Sequence, residues 1–212
     1  MVATVQTGTL CGIEAHGVSV EVSQARGLPG FDIVGLPEAA LRESRVRVLA
    51  ALVNSGFTLP DRRFIVNLAP ADLRKSGASF DLAIAIALLA ACGLCAPGAL
   101  SDTLILGELS LDGRVRPVRG ILAHLRSACA RGLRSAIIPA DDASWAGLVS
   151  GMKAHLAAHL SDAVGMLEGV TPLPCARPIE LLGETASGED LRDVCGQAAA
   201  KRALEVAAAG NH

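Results

Sequence analysis

Ser79 lies in the stretch LRKSGASFDLAIAIALLAA, Leu73 to Ala91, where a small-residue loop runs straight into a helix with almost no polar face. A serine at such a place has two chemical uses. Its hydroxyl can cap a free backbone N–H of the first turn, with Asp81 suiting the positive helix end. It can also act as a nucleophile, if a base lies within hydrogen-bond reach. Position alone favours the cap, because capping needs no further partner. The bases on offer are few. The lysines are Lys75, Lys153 and Lys201, and only Lys75 shares the loop.

Other candidates are weaker. Cys92 and Cys95 have the spacing of a redox pair or of half a zinc site, but no second pair follows at a suitable distance and they end a buried helix, so packing cysteines are expected. His155 and His159 are four apart, which would put both on one helix face. No glutamate completes a metalloprotease pattern, and a core or solvated role is expected. The arginines form three groups: Arg42, Arg45 and Arg47; Arg62, Arg63 and Arg74 with Lys75; and Arg114, Arg116 and Arg119. The guanidinium fork suits phosphate. Whether the groups make one basic patch or three solvated faces stays open. Arg62, Arg63, Arg74 and Lys75 are the candidates for DNA contact. With four Phe, one Trp and no Tyr, bases find little to stack on, so any such contact goes to the backbone and ignores sequence.

The elements that must position these residues can be read in outline. A chain of 212 residues holds one domain with a sizeable core, plus a tail or small second unit. Net charge of −2 argues neither for nor against a nucleic-acid partner. Six scattered cysteines read as reduced small hydrophobes of a cytoplasmic protein. No secretory signal is evident, and the longest apolar run, Leu82 to Cys92, is too short for a membrane span.

Short strands are expected at Ala3–Gln6, Val18–Ser23, Phe31–Val34 and Arg63–Pro70. A helix opens at Pro37 and ends at Gly56, with Leu41, Val48, Leu49 and Leu52 on one face. A second, apolar helix runs from Phe80 to about Cys92. TLILGELSLDGRVRPV reads as a β-hairpin turning at Asp112-Gly113. A helix ending at Gly132, a strand at Ser135–Ala140, and two shorter helices around an uncertain strand near Lys153–Leu156 follow. Residues 171–189 are rich in Pro and Gly and read as a linker. Residues 190–212 read as an Ala-rich helical stretch in which a second domain begins.

KSGASFDLAIAIALL followed by LILGELSLDGRVRPVRGILAHL resembles the proteolytic domain of Lon-type proteases. There a Gly-rich loop carries a catalytic serine, and a helix after a hairpin carries a catalytic lysine. Ser79 falls on the serine position and Leu122 on the lysine position. A leucine cannot accept a proton, so the resemblance implies a lost dyad. His124, two residues on, is expected on another side of the helix.

A narrower resemblance covers about residues 1–170. GLPGFDIVGLPEAALRESRVRVLAALVNSGF, RFIVNLAPADLRKSGASFDLAIAIALL and GELSLDGRVRPVRGIL resemble the N-terminal region of the ComM/YifB family, often labelled magnesium-chelatase-like. This implies an α/β (α+β) domain of the Lon-protease-like, ribosomal protein S5 domain 2-like kind, in two layers with a mixed sheet and packed helices. It implies no proteolytic activity, and a following AAA+ ATPase module. The parent would be a DNA-binding hexamer that drives branch migration in natural transformation. Residues 190–212 resemble the first helix of such a module, with Gly196-Gln197 matching a pair beside the nucleotide base. No G-x-x-x-x-G-K-[ST] occurs in the chain, so no cofactor is expected here, while ATP and Mg2+ are expected for the parent. Two rivals remain: a peptidase using Ser79 with Lys75 or a lysine of a neighbouring subunit, and a magnesium-chelatase subunit acting on a porphyrin.

Overall fold

The computed structural model describes residues 2–35, 39–73, 75, 77–95, 100–179 and 190–210, with the side chains of 39–42 left aside. Pro37, Leu41, Arg42 and Arg74, named above, therefore lie outside the described residues or side chains. The chain forms two units, residues 1–179 and 180–212.

Alternating apolar and polar residues give β1 (Val2–Cys11) and β2 (Glu14–Ala25), paired antiparallel along the whole of β1, from Val2 opposite Ser23 to Cys11 opposite Glu14. Both strands are longer than the sequence pattern suggests, because polar residues interrupt the apolar alternation without ending the ladder. β3 (Gly30–Val34) lies parallel to β4 (Arg63–Ala69), which pairs antiparallel with β2. Between β3 and β4 comes α1 (Ala39–Asn54). After β4 come α2 (Asp81–Ala91), β5 (Thr103–Ile105), the short pair β6 (Glu108–Leu109) and β7 (Val115–Arg116), and α3 (Ile121–Ala130). The first unit continues through β8 (Ser135–Pro139), α4 (Ala143–Ala146), β9 (Lys153–Ala157) and α5 (Leu160–Leu167). The second holds α6 (Ala198–Ala209).

The main sheet has seven strands in the order β3-β4-β2-β1-β5-β8-β9 and is mostly parallel. The expected long hairpin is corrected. Its first part, β5, enters the main sheet between β1 and β8, and only β6 and β7 pair as a hairpin. The reason is the run Leu104-Ile105-Leu106, buried throughout. Such a run suits a strand covered on both faces.

Side chains alternate across these strands, and the core divides accordingly. Ile105 and Ile137 join α2 and α5 in one apolar cluster; Leu104, Ala136 and Ile138 join α3 and α4 in another. Helices thus lie on both faces of β5 and β8, so this half has three layers where two are expected. The linker expectation also shifts. Residues 171–179 belong to the first unit: the Leu156 N–H donates to the Pro174 carbonyl (2.9 Å), and the Ala176 N–H to Ala154 (2.8 Å). Residues 180–189 lie outside the described residues.

α2 is buried along all eleven residues. Its one charged side chain, Asp81, is fully buried and meets Arg47 Nε of α1 at 2.8 Å; the Leu109 N–H also reaches the carboxylate at 3.3 Å. Burial pushes the Asp81 carboxyl up, and the bonds from Arg47 and Ser44 oppose that. This ion pair ties α1, α2 and β6 together. Removing one partner of a buried pair leaves a bare charge and costs about 3–5 kcal/mol. Arg47→Met should lose that much in chemical denaturation at neutral pH, and Asp81→Leu in the same chain should recover most of it. The folded single variant holds its Asp81 proton more tightly than the unfolded chain does, so its deficit should shrink as pH falls. Equal stability of Arg47→Met and wild type would show the pair to be dispensable.

Candidate functional site

Ser79 is not the cap of α2. Phe80 holds that position with a helical backbone and makes no side-chain cap bond. Main-chain groups do the capping instead. The Leu82 N–H donates to the Gly107 carbonyl (3.0 Å), the Gly107 N–H to the Ser79 carbonyl (3.1 Å), and the Asp81 N–H to Ala78 (3.1 Å). Among the described residues, no hydrogen bond is made by the Ser79 hydroxyl, which lines a pocket of about 580 Å³ with Gly77, Ala78, Glu108, Arg119 and His124.

The family's lysine position and the one lysine of the loop both lie elsewhere. Leu122 lines a different pocket, beside Arg126 and Cys129. Lys75 is buried and its ammonium donates to the Pro70 carbonyl, so it presents nothing to solvent or to phosphate. The residue that sequence reasoning set aside, His124, is the one that reaches the Ser79 pocket. Its helix places it two positions, and so just over half a turn, from Leu122.

His124 is there because α3 sits close on the sheet. Gly8 and Gly17 are opposed on β1 and β2. A Cβ on Gly8 would come 2.7 Å from His124 Nδ1, and one on Gly17 would come 2.0 Å from Arg131 Nη1. The glycine pair is the signal that could have located His124. Burial and the Arg131 guanidinium push the imidazole down to about 4. It is therefore neutral at physiological pH. A proton taken from Ser79 would form an imidazolium beside a guanidinium, the reverse of the acid that steadies the imidazolium in a Ser-His-Asp triad.

The arginine groups split. Arg47 is withdrawn into the Asp81 pair, and Arg114 binds Asp112 at 3.3 Å. Arg45, Arg62 and Arg63 converge on the loop Gly27–Gly30. A Cβ on Gly27 would lie 3.1 Å from Arg63 Cδ and one on Gly30 2.8 Å from Arg45 Nη2, while the Gly30 N–H donates to the Arg62 carbonyl at 3.2 Å. Arg62 also donates to Gln24 (2.7 Å), and Arg63 pairs with Asp32 (2.6 Å). All three arginines, and Arg26 just before the loop, are exposed.

The histidine pair is not on one helix. His155 lies in β9 and His159 caps α5 in a box with Asp162. His159 Nε2 also bonds the Asp112 carbonyl (2.8 Å), and Asn54 donates to Leu111 (2.7 Å), which fixes the β6–β7 turn. Cys92 and Cys95 face the core, and burial raises both thiols, Cys95 to about 11. Among the described residues no cluster of His, Cys, Asp and Glu could hold a metal ion, and no helix is long and apolar enough to cross a membrane.

Stability should report the His124 environment. The unfolded imidazole takes its proton near its ordinary value of about 6.5, the folded one not until about 4. Stability is complete above the first value and falls as pH drops towards the second, by about 3 kcal/mol. His124→Gln should lack that part of the acid loss. Superimposable pH profiles of denaturation midpoint would contradict the assignment.

Residues 20–142 match the family described as subunit ChlI of Mg-chelatase, and residues 190–212 match magnesium chelatase, subunit ChlI. The uncharacterised protein YifB of Escherichia coli is 40% identical over 208 residues, 98% of this chain and 41% of that protein. An uncharacterised protein of Mycobacterium tuberculosis is 44% identical over 202 residues, 95% of this chain and 40% of that one. The competence protein ComM of Haemophilus influenzae is 42% identical over 216 residues, 99% and 42% respectively. The chain thus spans about two fifths of the length of these relatives. It belongs to the ComM/YifB magnesium-chelatase-like family.

Proposed function

We propose that residues 1–179 are the proteolytically inactive accessory and assembly domain of a ComM-like AAA+ ATPase, with a Lon-protease-like, ribosomal protein S5 domain 2-like fold. Residues 190–212 begin the ATPase module. In this reading the whole protein is a cytoplasmic hexamer that uses ATP and Mg2+ to drive branch migration of DNA in natural transformation.

The observation that carries this reading is the order of the two family matches, first the domain and then the start of the motor, along a chain 42% identical to a competence protein. Loss of proteolysis is supported by the placing of Leu122 away from Ser79 and by the cation beside His124. A nucleotide role for Gly196 and Gln197 is supported by their left-handed backbones, φ 72° and 54°, just before α6. For glutamine that conformation costs roughly 1 kcal/mol or more, and such strain collects at functional sites. The pair supplies no phosphate cradle, so no step through ATP follows from it. DNA contact is supported by Arg45, Arg62 and Arg63 around one loop; Lys75 drops out of the candidate set.

The whole protein should hydrolyse ATP with Mg2+, and branched DNA should stimulate it. Ser79→Ala should leave that activity unchanged, and a fluorophosphonate probe should not label Ser79. Labelling of Ser79, with loss of cleavage of an unfolded substrate in Ser79→Ala, would favour a peptidase. Magnesium-dependent metallation of a porphyrin would favour the chelatase role that the family's description carries. Replacing Arg45, Arg62 and Arg63 together by Gln should flatten the salt dependence of DNA binding by about one unit of slope for each phosphate no longer neutralised. An unchanged slope removes this loop from the DNA interface.

A further inference from the structure

One pair of side chains has chemistry that the proposed function does not use. Residues 171–176 run back along β9, and a β-bridge sets His155 opposite Cys175. The main-chain bonds from Leu156 to Pro174 and from Ala176 to Ala154 fix the register on either side. Cys175 Sγ lies 3.5 Å from His155 Nδ1. The thiol is exposed, whereas His155 is 8% exposed and its ring also bonds the Leu173 backbone. The two line a pocket of about 450 Å³, in which Lys153 is the charged side chain among the described lining residues.

The other thiols differ. Cys92 and Cys95 are held protonated by burial, and Cys129 is half-buried against Arg134 Nη1 at 3.4 Å. Cys11 and Cys195 are exposed, with no hydrogen-bonded imidazole among the described residues. Burial, then Lys153, lowers His155. Its ring is therefore neutral at physiological pH, with a nitrogen lone pair free to take a proton.

We propose that Cys175 is the chain's nucleophilic thiol and a modification site for small anionic disulfides, with His155 as the base that receives its proton. Sγ attacks one sulfur of the disulfide, and the Cys175 Sγ–S bond forms as the reagent's S–S bond breaks. The thiol proton passes to His155 and then to the departing thiolate. The Cys175 sulfur is oxidised and the departing sulfur reduced, so no further oxidant enters. Lys153 favours a reagent carrying carboxylates.

The test uses limiting dithiobis(nitrobenzoate), an anionic disulfide, with each cysteine followed by peptide mass spectrometry. At neutral pH Cys175 should react about ten times faster than Cys11 and Cys195, the exposed references in the same molecule. His155→Gln should bring Cys175 down to their rate, while buried Cys95 stays unlabelled and so reports an intact fold. If that variant does not fold, the wild type still decides. Below its titration an unassisted thiol gains about tenfold in rate per pH unit. Through neutral pH the rate at Cys175 should instead rise less steeply than the rates at Cys11 and Cys195. Equal rates for the three thiols, an unchanged rate in folded His155→Gln, or parallel pH profiles would each overturn the proposal.

Discussion

Burying α2 from every side is the constraint that shapes this domain. All its residues, Asp81 to Ala91, are buried. A helix apolar all round has no face to give to water. The sheet covers one side through β1 and β2, and α1 covers another. Side cover is not enough, because the first N–H groups of a helix have no partner within it. With no water at hand, the segment Leu106–Leu109 is drawn across that end to supply the Gly107 carbonyl, while Arg47 answers the Asp81 carboxylate. The same segment carries Glu108 to the Ser79 loop. The pocket is thus a by-product of sealing a helix end, and its serine is left over once the backbone has done the capping.

The opposite face of the sheet supplies the pocket's other wall. Gly8 and Gly17 remove two Cβ atoms where α3 crosses, and the space is filled by His124 and Arg131. Close approach has an electrostatic consequence. An imidazole pressed onto a sheet loses its hydration, and desolvation disfavours the charged form. A neighbouring guanidinium pushes the same way. Had an acid stood in place of Arg131, the two effects would oppose each other and the ring would be a usable base. The packing that brings His124 to Ser79 therefore also disarms it.

Much of the fold was legible because period and punctuation are local. β4, α2 and α3 follow from apolar spacing and bounding glycines, and the Asp112-Gly113 turn from its dipeptide. What failed depends on distant partners. Leu104–Leu106 looks like one arm of a hairpin until β1 and β8 are seen to flank it. His155 and His159 suit one helix face until the strand-to-helix boundary falls between them. At the site, Ser79 was legible as a position but not as a role, since a cap and an idle hydroxyl look alike until Gly107 is in place. His124 was discounted by counting along a helix from Leu122. That count correctly separates the two residues, but it cannot say which of them faces the serine.

His124 and His155 carry the last step. Both rings are buried and both are held neutral, so titration behaviour alone would give them the same role. Their partners separate them. A neutral imidazole is an acceptor in search of a proton, and its use depends on whether an acidic group is held against it. Near His124 the hydroxyl of Ser79 makes no hydrogen bond to it among the described residues, and a hydroxyl is in any case far less acidic than a thiol. His155 has a thiol at 3.5 Å, fixed by main-chain bonds on both sides rather than by a mobile loop. A thiol can yield its proton to an imidazole base, even one weakened by burial and by Lys153. Reactivity in this domain should therefore follow the β-bridge at its far edge, and not the loop that resembles a protease.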